Sequence, residues 1–326
     1  MSLQFFSSPT PLASDTAHVL GAGLLGLQAP AAAPAWPLQH VRAPLLGSDG
    51  LSFHEAWRVD SAPLAGVTEG IHWRRAGDLL FGVIELAEEP GRSDLRTLSE
   101  QAYARLFRLL DAQALPHLWR VWNYMADING SADGLERYRQ FNLGRAEAFL
   151  QGARSVVGRV PAACALGLAG GPLSIAFLAG PTPAVPIENP RQVSAYHYPA
   201  DYGPRSPTFS RAALVYPPGQ ELLFISGTAS IVGHQSVHPG DVVAQTRESM
   251  DNVAVVLDQA NQRSRSGGHA LGALSYRVYI RHAADAPRVQ AVMAERVGAA
   301  PVVCVLADVC RAELLVEVEA QGLRSL

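Results

Sequence analysis

Hydrophobic positions along the chain switch between helical and strand spacing, and the switching recurs in a second half. Residues 98–111 (LSEQAYARLFRLLD) carry apolar side chains at helical spacing, and residues 243–258 (VAQTRESMDNVAVVLD) match them in type and position. A β-rich run precedes each, opening with Asp78-Leu79-Leu80-Phe81 in the first and Glu221-Leu222-Leu223-Phe224 in the second. Strand-like alternation follows at Arg120-Val121-Trp122 and at Arg277-Val278-Tyr279, and a second helix is predicted near 134–151 and 286–297. Pro161-Ala162-Ala163-Cys164 and Pro301-Val302-Val303-Cys304 then lead into closing strands. The blocks keep one order, with partners about 140 to 157 residues apart.

An ordered repeat of this kind predicts an α+β chain of two tandem modules, each a mixed β-sheet with two helices on one face. Residues 1–40, rich in Ala, Pro, Gly and Ser, are expected to be an irregular lead-in around one short strand. The first module then spans 41–180, a Pro-rich link 181–190, and the second module 191–326. Counted from the shared cysteine, Glu317 corresponds to Phe177. Alternation in Leu315-Val316-Glu317-Val318-Glu319 puts the valines towards the helices and both glutamates outward. The apolar Phe177 face of the first copy is expected to cover that outward face, making a cleft lined chiefly by the second module.

Composition narrows the function. The chain has 326 residues, 48% hydrophobic and 17% charged, which suits a sizeable core and excludes wholesale disorder. A net charge of −3 gives no global positive field for a nucleic acid, and no apolar run reaches the ~20 residues of a membrane span. All 26 basic residues are arginine, which excludes a Schiff-base lysine, a pyridoxal-phosphate anchor and a lysine-dependent phosphate loop. Cys164, Cys304 and Cys310 form neither a disulfide framework nor zinc-type spacing. No basic region precedes the first apolar stretch, so a cytoplasmic protein without signal peptide is expected.

Two motifs mislead. Gly21-Ala22-Gly23-Leu24-Leu25-Gly26 matches a dinucleotide fingerprint by letter, but Pro30 and Pro34 interrupt the helix it needs, leaving a small-residue turn. His234 and His238 have the spacing of a helical metal pair, yet lie in the loop-like stretch Gly233 to Gly240. No metal and no cofactor is expected.

The second copy resembles the RidA/YjgF fold, through the strand ending in Ser226-Gly227, the helix from Gln245 to Leu257 and the closing Val316-Glu317-Val318-Glu319-Ala320. In that superfamily the first glutamate of the closing motif lies in a cleft between subunits. The arginine that commonly binds substrate carboxylate there falls near Val302, so the resemblance does not imply enamine or imine deamination. Most of the chain resembles the chorismatases, which carry such a module behind a related N-terminal one. The segments concerned are Arg120 to Tyr124, Tyr138 to Asn142 with Gly144-Arg145, Asn189 to Tyr196, Tyr202-Gly203-Pro204 to Phe209-Ser210-Arg211-Ala212, Ser226 to Ile231 and Cys310 to Glu317.

That resemblance implies cleavage of the enolpyruvyl ether of chorismate, giving pyruvate and 3-hydroxybenzoate, some 4-hydroxybenzoate, or a dihydroxycyclohexadienoate by hydrolysis. The 3-hydroxybenzoate branch is the expected one. A RidA-like binding module without turnover is the reading from a different class. Chorismate carries two carboxylates, for which Arg145, Arg205, Arg211 and Arg281 are candidate partners. Tyr196, Tyr198 and Tyr202 are candidates to bind substrate and wall out water; interface packing is the alternative. Glu317 is the candidate acid, with Glu319 in support. Gly227 is expected to leave room for substrate to tilt, and Cys310 to be a weak donor or proton shuttle, or else a small buried hydrophobe. RidA-like domains commonly trimerise, and a tandem chain can replace one such interface internally; a monomer with internal pseudo-symmetry is expected, a trimer being the alternative.

Overall fold

Ahead of the two repeats, the described residues up to Val59 build a sheet of their own. The computed structural model describes residues 2–10, 17–30, 32–47, 52–89 and 94–326. Strands β1 (Leu3–Ser8), β2 (Val19–Leu25), β3 (Leu38–Val41) and β4 (Phe53–Val59) pair in the order β1-β4-β2-β3. An irregular lead-in with one strand was expected, but three of these strands lie before residue 42. The glycine motif is likewise strand, not turn, because β2 has a partner on each edge. Its glycines permit close approach. A Cβ on Gly21 would stand 2.0 Å from the Phe81 ring, and one on Gly23 3.1 Å from the Arg277 guanidinium.

The first module comprises β5 (Leu64–Thr68), β6 (Ile71–Ala76), β7 (Leu79–Leu86), α1 (Leu95–Ala112), β8 (His117–Ala126), a two-residue ribbon of β9 (Ser131–Ala132) and β10 (Leu135–Glu136), α2 (Arg137–Gln151), β11 (Ala162–Leu168) and β12 (Leu173–Gly180). The second comprises β13 (Val185–Ile187), β14 (Ala212–Val215), β15 (Gln220–Ala229), a ribbon of β16 (Ile231–Val232) and β17 (Gln235–Ser236), α3 (Val242–Asn261), β18 (Ser275–Ile280), α4 (Ala286–Val297), β19 (Val302–Leu306) and β20 (Val316–Ser325). Their sheets have orders β11-β8-β12-β7-β6-β5 and β19-β18-β20-β15-β14-β13, the same topology twice. In each, the strand after the first helix runs parallel to the strand after the second and antiparallel to the closing strand. The architecture is α+β, two tandem modules with a pair of helices on one face of each sheet.

The helices form where the periodicity placed them, and side chains cap the starts of α1 and α3. Asp94 accepts from the Thr97 amide at 2.7 Å, and Asp241 from those of Val243 and Ala244 at 3.1 and 3.0 Å. Their apolar stripes bury Tyr103, Phe107 and Phe149 in the first module and Val253, Val256 and Met293 in the second. The opposite sheet faces do not meet water. Trp57, Phe81, Trp122, Leu166, Phe224 and Val305 join the N-terminal sheet and both modules in one shared core.

Register corrects the alignment of the two copies by one residue. In β8, Arg120, Val121 and Trp122 stand opposite Leu178, Phe177 and Ala176; in β18, Arg277, Val278 and Tyr279 stand opposite Glu319, Val318 and Glu317. The counterpart of Glu317 is therefore Ala176, and that of Phe177 is Val318. One residue of slip flips a strand's faces. Phe177 accordingly packs among the helices of its own module and does not cover the glutamates. The two cysteines used for the count also differ, with Cys164 in the shared core and Cys304 under the helices of the second module.

Candidate active site

A cavity of about 270 Å³ lies between the modules, just under the ~300 Å³ at which small-molecule sites usually begin. The first module contributes Ala163, Cys164 and Ala165 of β11 and the first turn of α2 at Tyr138 and Arg139. The larger share comes from the second module, through β15, β20, the long segment between β13 and β14, and the loop before β20.

Glu317 lines this cavity from β20, with Ala229 and Tyr279 as its cross-strand neighbours. Its side chain is buried, and among the described residues its carboxyl has no hydrogen-bond partner. Burial pushes its pKa up to about 8; the nearby Glu319 adds to the rise, while Arg120 and Arg211 oppose it. Gly227 lies in a bulge where the register of β15 against β20 shifts between Ile225 and Thr228. A Cβ at 227 would stand 1.9 Å from the Glu317 Oε1. The glycine thus makes room for the acid itself, and it also lines the cavity, where space for a tilting substrate was expected. Cys310 also lines the cavity; burial, then Glu317, pushes its thiol up to about 12, so it stays protonated at neutral pH.

Two arginines line the cavity beside aromatic rings. Arg211 donates Nη2 to the Tyr198 hydroxyl at 2.7 Å and to the Val193 carbonyl at 2.9 Å, leaving a buried Nε without a partner. Arg311 lies 4.0 Å from the Tyr202 ring centre and 5.3 Å from that of Tyr198. Its Nη1 donates to the His234 carbonyl at 2.9 Å and the Ser236 Oγ at 3.1 Å, while its Nη2 is buried and unpartnered. A carboxylate is the group that such fixed, incompletely satisfied guanidinium nitrogens can take. Tyr202 in turn shares a 3.2 Å hydrogen bond with His234 Nδ1. His238 instead faces Glu248, at 3.7 Å.

Glu317, Gly227, Cys310, Tyr198, Tyr202 and Arg211 therefore come together as the sequence suggested. Four expected substrate residues do not line the cavity. Arg281 is spent on structure: it pairs with Asp308 and donates to the carbonyls of Leu314, Val309 and Arg311 at 2.8, 3.1 and 2.9 Å. Arg145 is buried inside the first module, bonded to Asn142 at 2.7 Å and stacked on Phe141. Arg205 is exposed, and Tyr196 turns edge-on to His197. Glu319, the expected support, points away from the cavity into ion pairs with Arg120 and Arg277. Arg311 was missed. Its one signal was its place beside Cys310, because only the folded loop sets it against Tyr202.

The chain is similar to known proteins over most of its length. Residues 55–179 match the family described as chorismatase FkbO/Hyg5-like, N-terminal. A chorismatase from Streptomyces rapamycinicus is 41% identical over 277 residues, covering 82% of this chain and 81% of that protein. A 3-hydroxybenzoate synthase from Streptomyces hygroscopicus is 38% identical over 279 residues, covering 82% and 80%. A chorismatase crystal structure superposes with a TM-score of 0.89 at 33% identity, covering 98% of both chains.

Proposed function

The chain belongs to the chorismatase family, and from that premise we propose that its cavity binds chorismate and cleaves the enolpyruvyl ether, releasing pyruvate and 3-hydroxybenzoate. The observation that carries the proposal is a buried carboxyl, Glu317, with no hydrogen-bond partner among the described residues and a raised pKa, lining a cavity that also holds two incompletely satisfied arginines.

Arg211 and Arg311 supply N–H donors for the two carboxylates, while Tyr198 and Tyr202 hold the guanidinium planes and exclude water. Glu317 donates its proton to the terminal methylene carbon of the enolpyruvyl arm. That leaves an oxocarbenium-like centre next to the ether oxygen, and the ether bond breaks as pyruvate forms. Pyruvate and 3-hydroxybenzoate together are isomeric with chorismate, so this branch consumes no water. The neighbouring ring hydroxyl oxygen bonds to the ring carbon that the ether oxygen leaves and gives up its proton, which restores Glu317. Transfer of one ring C–H proton to that oxygen, with opening of its other C–O bond, then gives the aromatic product. The apolar side of the cavity, from Ala163, Ala165, Phe209 and Ile231, supports a site poor in water. The named activity of the 3-hydroxybenzoate synthase relative supports the same branch.

Free thiols at all three cysteines support a reducing cytoplasm, and a cavity completed within one chain supports a monomer. Among the described residues no helix is long and apolar enough to cross a membrane.

Purified protein with chorismate should release pyruvate, and chromatography should find 3-hydroxybenzoate; a dihydroxycyclohexadienoate in its place would assign the hydrolytic branch. In D₂O, solvent deuterium should enter the pyruvate methyl group. Glu317→Gln keeps the shape but cannot deliver the proton, so kcat should fall ~10²- to 10⁴-fold with little change in KM. A Gln variant that retains most of its kcat would remove Glu317 as the acid.

A further inference from the structure

Behind Glu317 lies a buried set of four charges drawn from all three sheets. Glu55 on β4, Arg120 on β8, Arg277 on β18 and Glu319 on β20 are 3%, 1%, 6% and 4% exposed. Arg277 donates to Glu55 through Nε at 2.7 Å and through Nη2, and its Nη1 stands 3.5 Å from Glu319. Arg120 pairs with Glu319 through Nη2, and its Nη1 lies 3.4 Å from the carbonyl of Ile225, where the bulge carrying Gly227 begins. The two arginines occupy equivalent positions in the two modules, as the register above requires, and converge on one carboxylate.

Two cations and two anions make the quartet neutral. Stability alone does not explain it, since buried ion pairs replaced by well-packed apolar side chains often leave a protein as stable or more so. What the quartet does set is the charge behind the acid. Glu319 is two residues from Glu317 on the same strand face, and Arg277 also donates to the Tyr124 hydroxyl at 2.9 Å. That hydroxyl shares a 2.6 Å hydrogen bond with Tyr279, the cross-strand neighbour of Glu317. Without Glu55, both arginines would face a single carboxylate, and an uncompensated positive charge would stand behind Glu317.

We propose that Glu55, from the N-terminal sheet, is a positioning residue for the reaction: by engaging Arg277 it balances the arginine pair around Glu319, so that Glu317 keeps its proton for the substrate. This rests on the reading of Glu317 as the proton donor. The remaining titratable or charged groups that line the cavity with Glu317 or adjoin it are Tyr198, Asp201, Tyr202 and Arg211 ahead of β14, Cys310, Arg311 and Glu313 in the loop before β20, Cys164 on β11, Glu136 on β10, Tyr138 and Arg139 on α2 and Tyr279 on β18. None of these is altered in the variants below.

The test reads the Glu317 carboxyl by ¹³C NMR titration of the free, full-length protein, assigned with Glu317→Gln, beside the pH profile of kcat/KM. Glu55→Gln leaves the quartet with one excess positive charge, which favours the carboxylate, so the titration should move down by about one pH unit. Arg277→Gln leaves one excess negative charge and should move it up. The double variant Glu55→Gln/Arg277→Gln is neutral again and should return towards wild type, whereas two merely structural lesions would compound. Circular dichroism establishes which variants fold, and either folded single variant reads the link. A titration that stays put in a folded single variant, or a double variant no closer to wild type than the singles, overturns the proposal. Full activity in Glu317→Gln would instead overturn the reading it rests on, and the carboxyl titration would still report the charge link.

Discussion

A carboxylic acid with no hydrogen-bond partner and little access to water holds its proton far above the ordinary range, and two measurements follow from that at Glu317. With Glu317 as the proposed proton donor, activity follows the acid form, so kcat/KM should fall as pH rises through about 8. Stability follows the same proton. The folded state binds it more tightly than the unfolded chain, so the contribution is full below the ordinary 4.5 and is lost as pH rises through the folded value of about 8. Thermal melts across that window should show the decline in wild type and a flatter profile in Glu317→Gln. At Gly227 the expectation is a split between stability and activity. An added methyl meets chiefly the far end of the Glu317 side chain, which can swing away, and stands 3.3 Å from the Cys164 Cβ, which must give only slightly, so Gly227→Ala should change Tm far less than kcat. The acid that swings is the proposed proton donor, so kcat should drop by up to the ~10²- to 10⁴-fold that a general acid contributes. A variant that lost both in proportion would point to a folding defect.

Among the elements, the loop from Asp308 to Leu314 carries the cavity groups Cys310 and Arg311, yet it is held from outside the cavity by Arg281. Removing a guanidinium that satisfies three backbone carbonyls should loosen the loop. Arg281→Ala should speed amide hydrogen exchange across 308–314 and raise KM. A rise in KM with exchange unchanged would return Arg281 to the role of direct substrate partner. This loop also marks the limit of what the sequence made legible. Helical periodicity located α1 and α3, and the repeat gave the two modules, because both are carried by local spacing. Strand alternation likewise put Val316 and Val318 against the helices and both glutamates on the opposite face. It could not say which residue of the first copy matched them, because alternation alone does not fix the register between copies; Cys164 stands level with Val305, not Cys304, so matching the cysteines selected Phe177 over Ala176. The distinction between Arg281 and Arg311 was equally hidden, since Arg281 follows Tyr279 in the chain while Arg311 has no tyrosine near it in sequence, and only the loop's fold sets Arg311 against a ring.

At the scale of the molecule, the shared core makes the N-terminal sheet a third layer of the enzyme. Trp57 packs against Phe5 at 4.7 Å and edge-on to Phe224 of the second module at 5.8 Å. Trp57→Ala should cost about 3–5 kcal/mol and lower one common transition followed by helix circular dichroism and tryptophan fluorescence alike; two separated transitions would mean that the sheet is an independent appendage. The same seam explains something a self-associating single module could not do. In a two-fold homodimer each residue at the seam meets its interface from both sides, so a strand bearing glutamates would bring them in duplicate, along with their arginines. Fusion into one polypeptide releases the copies from that obligation. With Ala176 and Leu178 standing where the second copy has Glu317 and Glu319, the arginine of each copy is free to serve a single glutamate. Broken symmetry, available only to a covalent tandem, is what lets this chain concentrate the charges of two modules behind one acid.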